Sequence, residues 1–81
     1  MSELREELGE AVRLLVDDHD AVEIDEHATP DGVRFEIKVA NTDLGKVIGR
    51  QGRTIRALRS LVEARGGKDG VRYYLDILED D

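Results

Sequence analysis

The sequence predicts an α+β fold in which three helices pack on one face of a three-stranded mixed sheet, in the chain order α-β-β-α-α-β. Apolar residues recur at helical spacing in two segments and at every second position in three others, and a short third helix fits between a capping residue and a glycine. A turn joins the first two strands, whereas two helices separate the second strand from the third. The first pair is therefore expected to be antiparallel and the second parallel, with a right-handed crossover.

Length and composition restrict the class of protein. The chain has 81 residues, which fits one domain over 1–81, and its aromatic content of 4% means that aliphatic side chains must supply most of the core. The absence of cysteine excludes disulfides, thiolate metal sites and thiol catalysis. No apolar run approaches the ~20 residues of a membrane-spanning helix, and the polar N-terminal segment is unlike a signal peptide. We therefore expect a cytoplasmic protein with no membrane partner.

The first predicted element is an amphipathic helix over residues 3–16. Charged side chains, mostly glutamates, occupy the positions between its apolar residues, and Ser2 is placed to cap its N-terminus. The apolar side chains expected to face the core are Leu4, Leu8, Ala11, Val12 and Leu15.

A β-hairpin is predicted next. Val22 and Ile24 alternate with acidic residues, and apolar residues alternate with charged ones from Val33 to Val39. The sequence HATPDG between them, residues 27–32, contains proline, aspartate and glycine, which favour turns through a fixed φ, a local side-chain hydrogen bond and a tolerated positive φ, respectively. The alternation leaves one face of the hairpin polar.

Two helices joined by a turn follow the hairpin. Asn41 or Thr42 can cap a short helix over about 43–48, which Gly49 ends. A longer helix begins near Arg53, and its apolar positions follow the 3.6-residue period. These positions are Ile55, Leu58, Leu61 and Val62.

The last predicted element is a strand that alternates between the two faces of the sheet. The sequence RGGKDG, residues 65–70, is expected to end the longer helix, and an acidic tail over 79–81 completes the chain. The strand positions that face the helices are Val71, Tyr73, Leu75 and Ile77. Because three helices cover one face, the other face should carry mostly polar residues. They are Glu23, Arg34, Glu36, Lys38, Arg72 and Asp76.

Charge is distributed unevenly along the chain, whose formal net charge is −7. Residues 1–44 carry 4 basic and 13 acidic side chains, residues 45–72 carry 8 and 2, and residues 73–81 carry none and 4. The ordinary explanation of any single cluster of charges is a solvated surface. A block of +6 between acidic segments of −9 and −4 instead predicts one local anion-binding face on a protein whose remainder repels nucleic acid.

The sequence VIGRQGRTI, residues 47–55, lies at the predicted turn between the two helices. Gly49 can end the first helix in a left-handed conformation, and Gly52 lets the chain reverse again. Both glycines also allow a sugar-phosphate backbone to approach the main chain. The amides near Arg53 and Thr54 open the second helix, and we expect them to point toward a phosphate. Three basic side chains surround this turn: Lys46, Arg50 and Arg53.

This turn and the order of elements resemble a known family. A Gly-x-x-Gly turn between two helices, preceded by Val47 and Ile48 and followed by Ile55, resembles the signature of the KH domain. The order α-β-β-α-α-β resembles the type II KH arrangement, in which a helix and a strand precede the βααβ core. The stretch LGKVIGRQGRTIRALRSLV, residues 44–62, is similar to the KhpA family of small bacterial KH proteins, and the resemblance extends over nearly the whole chain.

The resemblance implies a function for the loop 49–52. In KH domains this loop clamps the backbone of about four nucleotides of single-stranded RNA or DNA, and the bases lie over an apolar groove. The groove floor is implied to involve Val47, Ile48 and Ile55. The implied RNA-binding residues are Lys46, Ile48, Gly49, Arg50, Gln51, Gly52, Arg53, Thr54, Ile55 and Arg56.

The resemblance also implies a cellular role and a partner. The role is that of an RNA chaperone or post-transcriptional regulator connected with cell shape and division. The implied protein partner is a larger KH-containing protein of the KhpB type, or a second copy of the chain. The net charge of −7 predicts only modest RNA affinity for the isolated domain. The alternative function is a protein-interaction module in which RNA contact is weak or secondary.

Several residues have more than one interpretation. Arg59 and Arg65 are as compatible with a solvated helix face as with phosphate contact. Tyr73 and Tyr74 point to opposite faces of a strand, so one is expected in the core and the other exposed, with base stacking the less favoured role. The excess of 9 arginines over 3 lysines and the acidic surface also fit adaptation to salt or to a GC-rich genome.

Neither a metal site nor catalysis is predicted. The sequence DDHD, residues 17–20, contains potential ligands, but adjacent residues rarely converge on one ion. His19 and His27 lack a nucleophile or an orienting partner in the sequence, which catalysis would need. We therefore expect no cofactor and no enzymatic activity.

Overall fold

The computed structural model describes residues 3–79 and has the predicted order of elements, α-β-β-α-α-β. Its helices are α1 (Glu3–Leu15), α2 (Leu44–Ile48) and α3 (Arg53–Asp69). Its strands are β1 (Glu23–Thr29), β2 (Gly32–Lys38) and β3 (Arg72–Ile77). Ser2, the expected cap of α1, lies outside the described residues, as do the last two residues of the acidic tail. None of the described helices is long and apolar enough to span a bilayer.

The three strands form one mixed sheet in the order β1-β2-β3, as predicted. β1 pairs antiparallel with β2, and β2 pairs parallel with β3. The hairpin turn is shorter than the expected 27–32, because the pairing continues outward until Thr29 meets Gly32. Only Pro30 and Asp31 remain unpaired between the strands, and a two-residue connection is sufficient for an antiparallel pair.

Alternating strand residues and the apolar faces of the helices form one core between the helices and the sheet. The least accessible side chains come from all three helices and from β2. They include Val12, Phe35, Ile37, Val47 and Val62. The opposite face of the sheet carries the predicted polar residues, which are half-buried or exposed. The predicted packing of three helices on one face is confirmed.

The end of α1 differs from the sequence prediction. Leu15 was expected in the core but is 36% exposed, whereas Val16 is 5% exposed and belongs to the core. The helix ends at Leu15, and Val16, four residues after the buried Val12, is the next residue in the core. Helical periodicity therefore assigned the buried position to the wrong neighbour.

α3 is longer than predicted, because it passes through Gly66 and Gly67 and ends at Gly70, which has φ 72° and ψ 25°. Gly66 is buried, and a Cβ there would lie 2.5 Å from the carbonyl oxygen of Val71. Close packing of the helix on β3 therefore outweighs the helix penalty of about 1 kcal/mol for each glycine. The strand consequently begins at Arg72, one residue after the predicted Val71.

Leu61, in α3, is the second residue that the periodicity misplaced. Its side chain is 65% exposed, although Leu58 and Val62 beside it belong to the core. These two neighbours already occupy the direction that faces the sheet, so Leu61 points away from it.

Candidate nucleic-acid interface

The turn between α2 and α3 has a backbone that few residues other than glycine adopt readily. It comprises Gly49, Arg50, Gln51 and Gly52, and it is a tight turn rather than a continuation of either helix. Gly49 has φ 79° and ψ 170°, and Gly52 has φ 71° and ψ 17°. Gln51 also has a positive φ, of 56°. Three of the four residues therefore occupy regions that L-residues rarely enter.

Gly49 ends α2 as predicted, but it does not adopt the expected left-handed helical conformation. Its extended ψ puts it in a region almost restricted to glycine, which sends the chain straight out of α2 instead of curling it back. A Cβ at Gly49 would also overlap the side chain of Thr54 and lie 2.9 Å from its backbone nitrogen. Gly52 is the left-handed residue, and a Cβ there would meet only the end of the long Arg56 side chain, at 3.2 Å. Gly49 is thus required by conformation and by contact, and Gly52 by conformation alone.

Short backbone hydrogen bonds hold the turn. The N–H of Gly49 donates to the Gly45 carbonyl at 2.8 Å, and the N–H of Gly52 donates to the Gly49 carbonyl at 3.0 Å. The N–H of Arg53 donates to the Arg50 carbonyl. The Arg53 amide, which was expected to point toward a phosphate, therefore has a partner within the turn. The amides that follow belong to the first turn of α3, whose N–H groups have no acceptor within the helix.

Three arginines beside the turn have no carboxylate partner among the residues that the structure describes. Arg50, Arg53 and Arg56 are exposed, and none of them forms an ion pair within residues 3–79. Arg53 donates from Nη2 to Oε1 of Gln51 at 3.2 Å, which aligns two neighbouring side chains of the site. These charges lie at the N-terminal end of a 17-residue helix, where the helix dipole is also positive. The arrangement attracts an anion to the turn.

Lys46, the fourth cation predicted for this site, is engaged by two carboxylates. Its Nζ donates to Oδ2 of Asp17 at 3.0 Å and to Oδ1 of Asp43 at 3.3 Å. The hydrogen bond to Asp17, with a further one to Asp43, raises the pKa of Lys46 above its ordinary value. Its charge is therefore largely offset within the protein, and its contact with RNA stays a prediction.

Asp43 positions α2, and the sequence analysis did not identify it. Its side chain is 1% exposed. The carboxylate accepts hydrogen bonds from the backbone amides of Asp18 at 3.0 Å and Asp17 at 3.2 Å, in addition to the one from Lys46. These bonds, the one from the Asp18 amide first, lower the pKa of Asp43. The carboxylate thus ties the segment after α1 to the start of the helix that carries the turn.

The expected capping of α2 is wrong. Asn41 and Thr42 were the proposed caps, but they lie with Asp43 in a 3₁₀ turn, and within residues 3–79 no side chain caps that turn or α2. The only sequence signal for the role of Asp43 was an aspartate directly before a short helix. That position is normally a local cap, whereas here the side chain caps amides that are 25 and 26 residues away.

The three apolar residues implied for the groove floor differ in exposure. Val47 is fully buried and Ile55 is 6% exposed, so both belong to the core. Ile48 is half-buried and packs against the core from its edge. Val47 and Ile55 therefore hold the two helices that flank the turn, while Ile48 retains accessible surface beside it.

A cleft of about 400 Å³ runs between α3 and the outer edge of β3. β3 has no strand partner on this side in the described chain, so part of its backbone faces the cleft. Arg59, expected either on a solvated face or at a phosphate, donates from Nε to the Leu75 carbonyl at 3.1 Å and covers part of this edge. Other lining residues are Glu63, Tyr74 and Asp76.

Arg65 was expected either on a solvated helix face or at a phosphate, but in the structure it contacts three carboxylates. Its guanidinium lies 2.9 Å from Glu7, 3.5 Å from Glu3 and 3.7 Å from Asp69. The hydrogen bond to Glu7 is the main reason that the pKa of Arg65 is raised. These contacts join α3 to α1.

Tyr73 and Tyr74 lie on opposite faces of β3, as their adjacent strand positions predict. Tyr73 faces the helices and packs edge to face on Phe35, with 5.5 Å between ring centroids. Tyr74 is 37% exposed on the other face, and its hydroxyl donates to Asp31 at 2.8 Å. That hydrogen bond is the main reason that the pKa of Asp31 is lowered, and it ties the hairpin turn to β3.

The sequence has clear relatives among known proteins. Residues 5–77 match the family described as KhpA/KhpB, KH domain. An RNA-binding protein KhpA from Aquifex aeolicus is 43% identical over 79 residues, which cover 98% of this chain and 100% of the relative. RNA-binding proteins KhpA from Caldanaerobacter subterraneus subsp. tengcongensis and Leifsonia xyli subsp. xyli are 43% and 42% identical, over 88% and 90% of this chain and 100% and 93% of the relatives.

The match extends from α1 to the end of β3 and includes the turn at 49–52. The relatives have nearly the same length as the chain, so the similarity covers the fold as a whole rather than the glycine turn alone. The chain therefore belongs to the KhpA/KhpB KH-domain family.

Proposed function

We propose that the protein binds single-stranded RNA and holds the RNA backbone on the turn Gly49 to Gly52. One observation carries this proposal: three exposed arginines without carboxylate partners in the described chain surround a turn in which three of four residues have positive φ. A turn that only connected two helices would not need this conformation together with this charge. The relatives are named RNA-binding proteins, and a KH family is a family of binding domains, in agreement with the expectation that the chain is not an enzyme.

Each part of the site has a distinct task in this proposal. The absence of side chains at Gly49 and Gly52 lets a phosphate approach the main chain, and the first amides of α3 donate to it. Arg50, Arg53 and Arg56 neutralise the neighbouring phosphates. Ile48 offers accessible apolar surface to the first base.

The remaining bases would follow the cleft between α3 and the edge of β3. Its free backbone groups and the side chains of Glu63 and Asp76 supply hydrogen-bonding groups to unstacked bases. Because only a few phosphates are neutralised, we expect modest affinity with a salt slope of about −0.7 for each phosphate contact.

The test is a charge reversal at the tip of the turn. The double substitution Arg50→Asp with Gln51→Asp changes the net charge by −3 and introduces repulsion where the phosphate would lie. The matched control, Gly67→Asp with Lys68→Asp, makes the same change on exposed positions of α3, roughly 20 Å farther along the helix axis. Binding to a fluorescent single-stranded RNA is measured by anisotropy at several salt concentrations, and folding by circular dichroism.

The two variants separate a local site from general electrostatics. We expect the turn variant to lose at least about tenfold in affinity, the equivalent of one or two charge contacts, while the control loses much less. Equal losses in two folded variants would mean that RNA responds only to net charge. Unchanged binding by the folded turn variant would remove the turn from the site.

The proposal includes a protein partner, for which the surface of α1 and α3 is the best candidate. Leu61 projects from α3 with 65% exposure beside a mostly apolar cavity of about 360 Å³ between these helices. A larger KH-containing protein of the KhpB type, or a second copy of the chain, would cover this surface. Two linked KH domains would also raise the modest RNA affinity by avidity. Action as a cytoplasmic RNA chaperone or regulator connected with cell shape belongs to the same proposal.

The alternative, a protein-interaction module with secondary RNA contact, rests on the same exposed leucine. Leu61→Asp distinguishes the two functions when partner capture and RNA binding are both measured. We expect Leu61→Asp to lose the partner and keep RNA binding as an isolated domain, and the turn variant to show the opposite pattern. A turn variant that keeps both activities would favour the interaction module.

A further inference from the structure

The face of the sheet opposite the helices carries three side chains that have no role in the nucleic-acid proposal: Asp25, His27 and Glu36. The strand register places Asp25 of β1 directly opposite Glu36 of β2, and Glu36 directly opposite Asp76 of β3. Three carboxylates therefore form a row across the sheet. Like charges directly opposite each other on neighbouring strands are destabilising, so this row needs compensation.

A histidine lies beside this row. His27 is two residues after Asp25, so both side chains project from the same face of β1. The Nε2 atom of His27 is 3.7 Å from Oε1 of Glu36. One potential ligand atom from each of Asp25, His27 and Glu36 lies within 4.8 Å of the other two. We call these three side chains the DHE cluster.

The basic side chains of the same face do not neutralise the DHE cluster. Lys38 pairs with Glu23 at 3.8 Å, and Arg72 pairs with Asp31 at 3.8 Å. Arg34 lies opposite His27 but forms no ion pair with the cluster in the described residues. The negative charge of the carboxylate row therefore remains available to a cation from solution.

We propose that the DHE cluster binds a divalent transition-metal ion, with Zn²⁺ as the best fit. Zinc takes histidine nitrogen and carboxylate oxygen at about 2.0 to 2.2 Å, and sites with three protein ligands leave a fourth position to water. Ligand atoms around such an ion lie about 3 to 4 Å apart, so the separation of 3.7 Å between His27 and Glu36 already fits, and small rotations of exposed side chains would bring in Asp25. The imidazole favours zinc over Mg²⁺ or Ca²⁺, which prefer oxygen ligands.

The proposed site has a rigid base, because its ligands stand on two paired strands instead of a loop. An ion bound there would bridge β1 and β2 and relieve the repulsion between Asp25 and Glu36. None of its three ligands belongs to the turn at 49–52 or lines the cleft proposed for the bases, so we expect the ion and the RNA to bind at separate places. The site also differs from the segment DDHD that the sequence analysis considered for metal and set aside.

The experiment is a zinc titration of the full chain without a histidine tag. Heat of binding is measured by calorimetry after treatment with a chelator, and the melting temperature is measured with and without zinc. The ligand variants are His27→Gln and Glu36→Gln. The matched control is His19→Gln, which removes the other histidine, one that lies within the DDHD segment at 3.1 Å from the Val16 carbonyl. A titration with Mg²⁺ tests the preference for an imidazole-binding metal.

We expect saturable zinc binding with one ion per chain and a higher melting temperature with zinc, because an ion that binds only the folded state stabilises it. Each ligand variant should lose at least about tenfold in zinc affinity, and His19→Gln should retain it. Glu36→Gln also reports on folding, because without metal it should melt at or above the wild-type temperature once the carboxylate repulsion is removed. Absence of saturable zinc binding, binding that survives in His27→Gln, or equal loss in His19→Gln would each overturn the proposal.

Discussion

The two ends of α3 hold their arginines in opposite ways. Arg50, Arg53 and Arg56 at the N-terminal end form no ion pair in the described chain, whereas Arg65 near the C-terminal end contacts carboxylates of α1 and of its own helix. Charge alone does not distinguish these residues, since all belong to the same basic block of sequence. The difference shows that basic side chains at one end serve the fold, while those at the other end remain available to an anion.

The glycines at the two ends differ in the same manner. Gly49 has a positive φ in an exposed turn, whereas Gly66 has an ordinary helical conformation and is required by the close approach of β3. A substitution at the turn should therefore alter both conformation and ligand contact. A substitution at Gly66 should alter packing alone.

Gly49→Ala should have the largest combined effect. Alanine in this region of φ and ψ costs about 1 to 3 kcal/mol, and its Cβ would press on Thr54. We expect lower stability together with loss of most RNA affinity, measured by chemical unfolding and anisotropy. Gly45→Ala is the matched control, since a Cβ there has open space inside α2, and it should leave RNA affinity unchanged. If Gly45→Ala weakened RNA binding equally, the conformation of Gly49 would not be the cause.

Gly66→Ala should have the next largest effect, and only on stability. The new Cβ would lie 2.5 Å from the Val71 carbonyl oxygen, and overpacking of this kind costs about 1 to 3 kcal/mol, partly offset by about 1 kcal/mol of helix propensity. Gly67→Ala places the same methyl group in open space on the next residue, so it should stabilise the protein by up to about 1 kcal/mol. Melting temperatures should therefore move in opposite directions. A shift in the same direction would contradict the packing of α3 on β3 described above.

Arg50→Gln and Arg65→Gln form a pair that removes one charge from each end of the arginine series. We expect Arg50→Gln to reduce the magnitude of the salt slope of RNA binding by about 0.7, with little change in melting temperature. Arg65→Gln should lower the melting temperature, because it removes the contacts with Glu3, Glu7 and Asp69, and leave the slope unchanged. A reduced slope in Arg65→Gln would mean that the RNA reaches both ends of the helix.

The smallest expected effect is a dependence of stability on acid pH that traces to Asp43. The pKa of Asp43 is lowered from the ordinary 3.8, so the folded state binds this proton less readily than the unfolded state. Its stabilising contribution is therefore fully present above a pH of about 3.8, the ordinary pKa, and is lost as the pH falls through the folded-state pKa. The difference in unfolding free energy between wild type and Asp43→Asn should be constant near neutral pH and shrink in acid. A difference that stayed constant into acid would contradict this role of Asp43.

Sequence patterns predicted the elements well and their ends poorly. The order of elements, the mixed sheet and its polar open face follow from alternation, helical spacing and turn residues, and the structure confirms them. Periodicity failed at Leu15 and Leu61, because a period of 3.6 residues does not tell where a helix ends or which side of a broad apolar stripe meets the sheet. Glycines were taken as the end of α3, whereas packing on β3 carries the helix through them.

In the candidate site, too, local features could be predicted from the sequence and contacts between distant residues could not. Two glycines three residues apart within a basic segment were sufficient to locate the turn and its arginines. The partners of Lys46, Arg59 and Arg65 come from distant parts of the chain, so no local pattern could show which cations are engaged. The role of Asp43 was hidden for the same reason, since it bonds amides 25 and 26 residues earlier.

The sequence by itself determined the class of fold, the position of the glycine turn and the concentration of positive charge around it, because each depends on residues close together in the chain. Only the tertiary structure decided which of those charges remain unpaired, why Gly66 must be glycine and how the DHE cluster meets across two strands. Ion pairs, close backbone approach and cross-strand neighbours depend on segments brought together by folding. Local propensity and periodicity contain no information about such contacts.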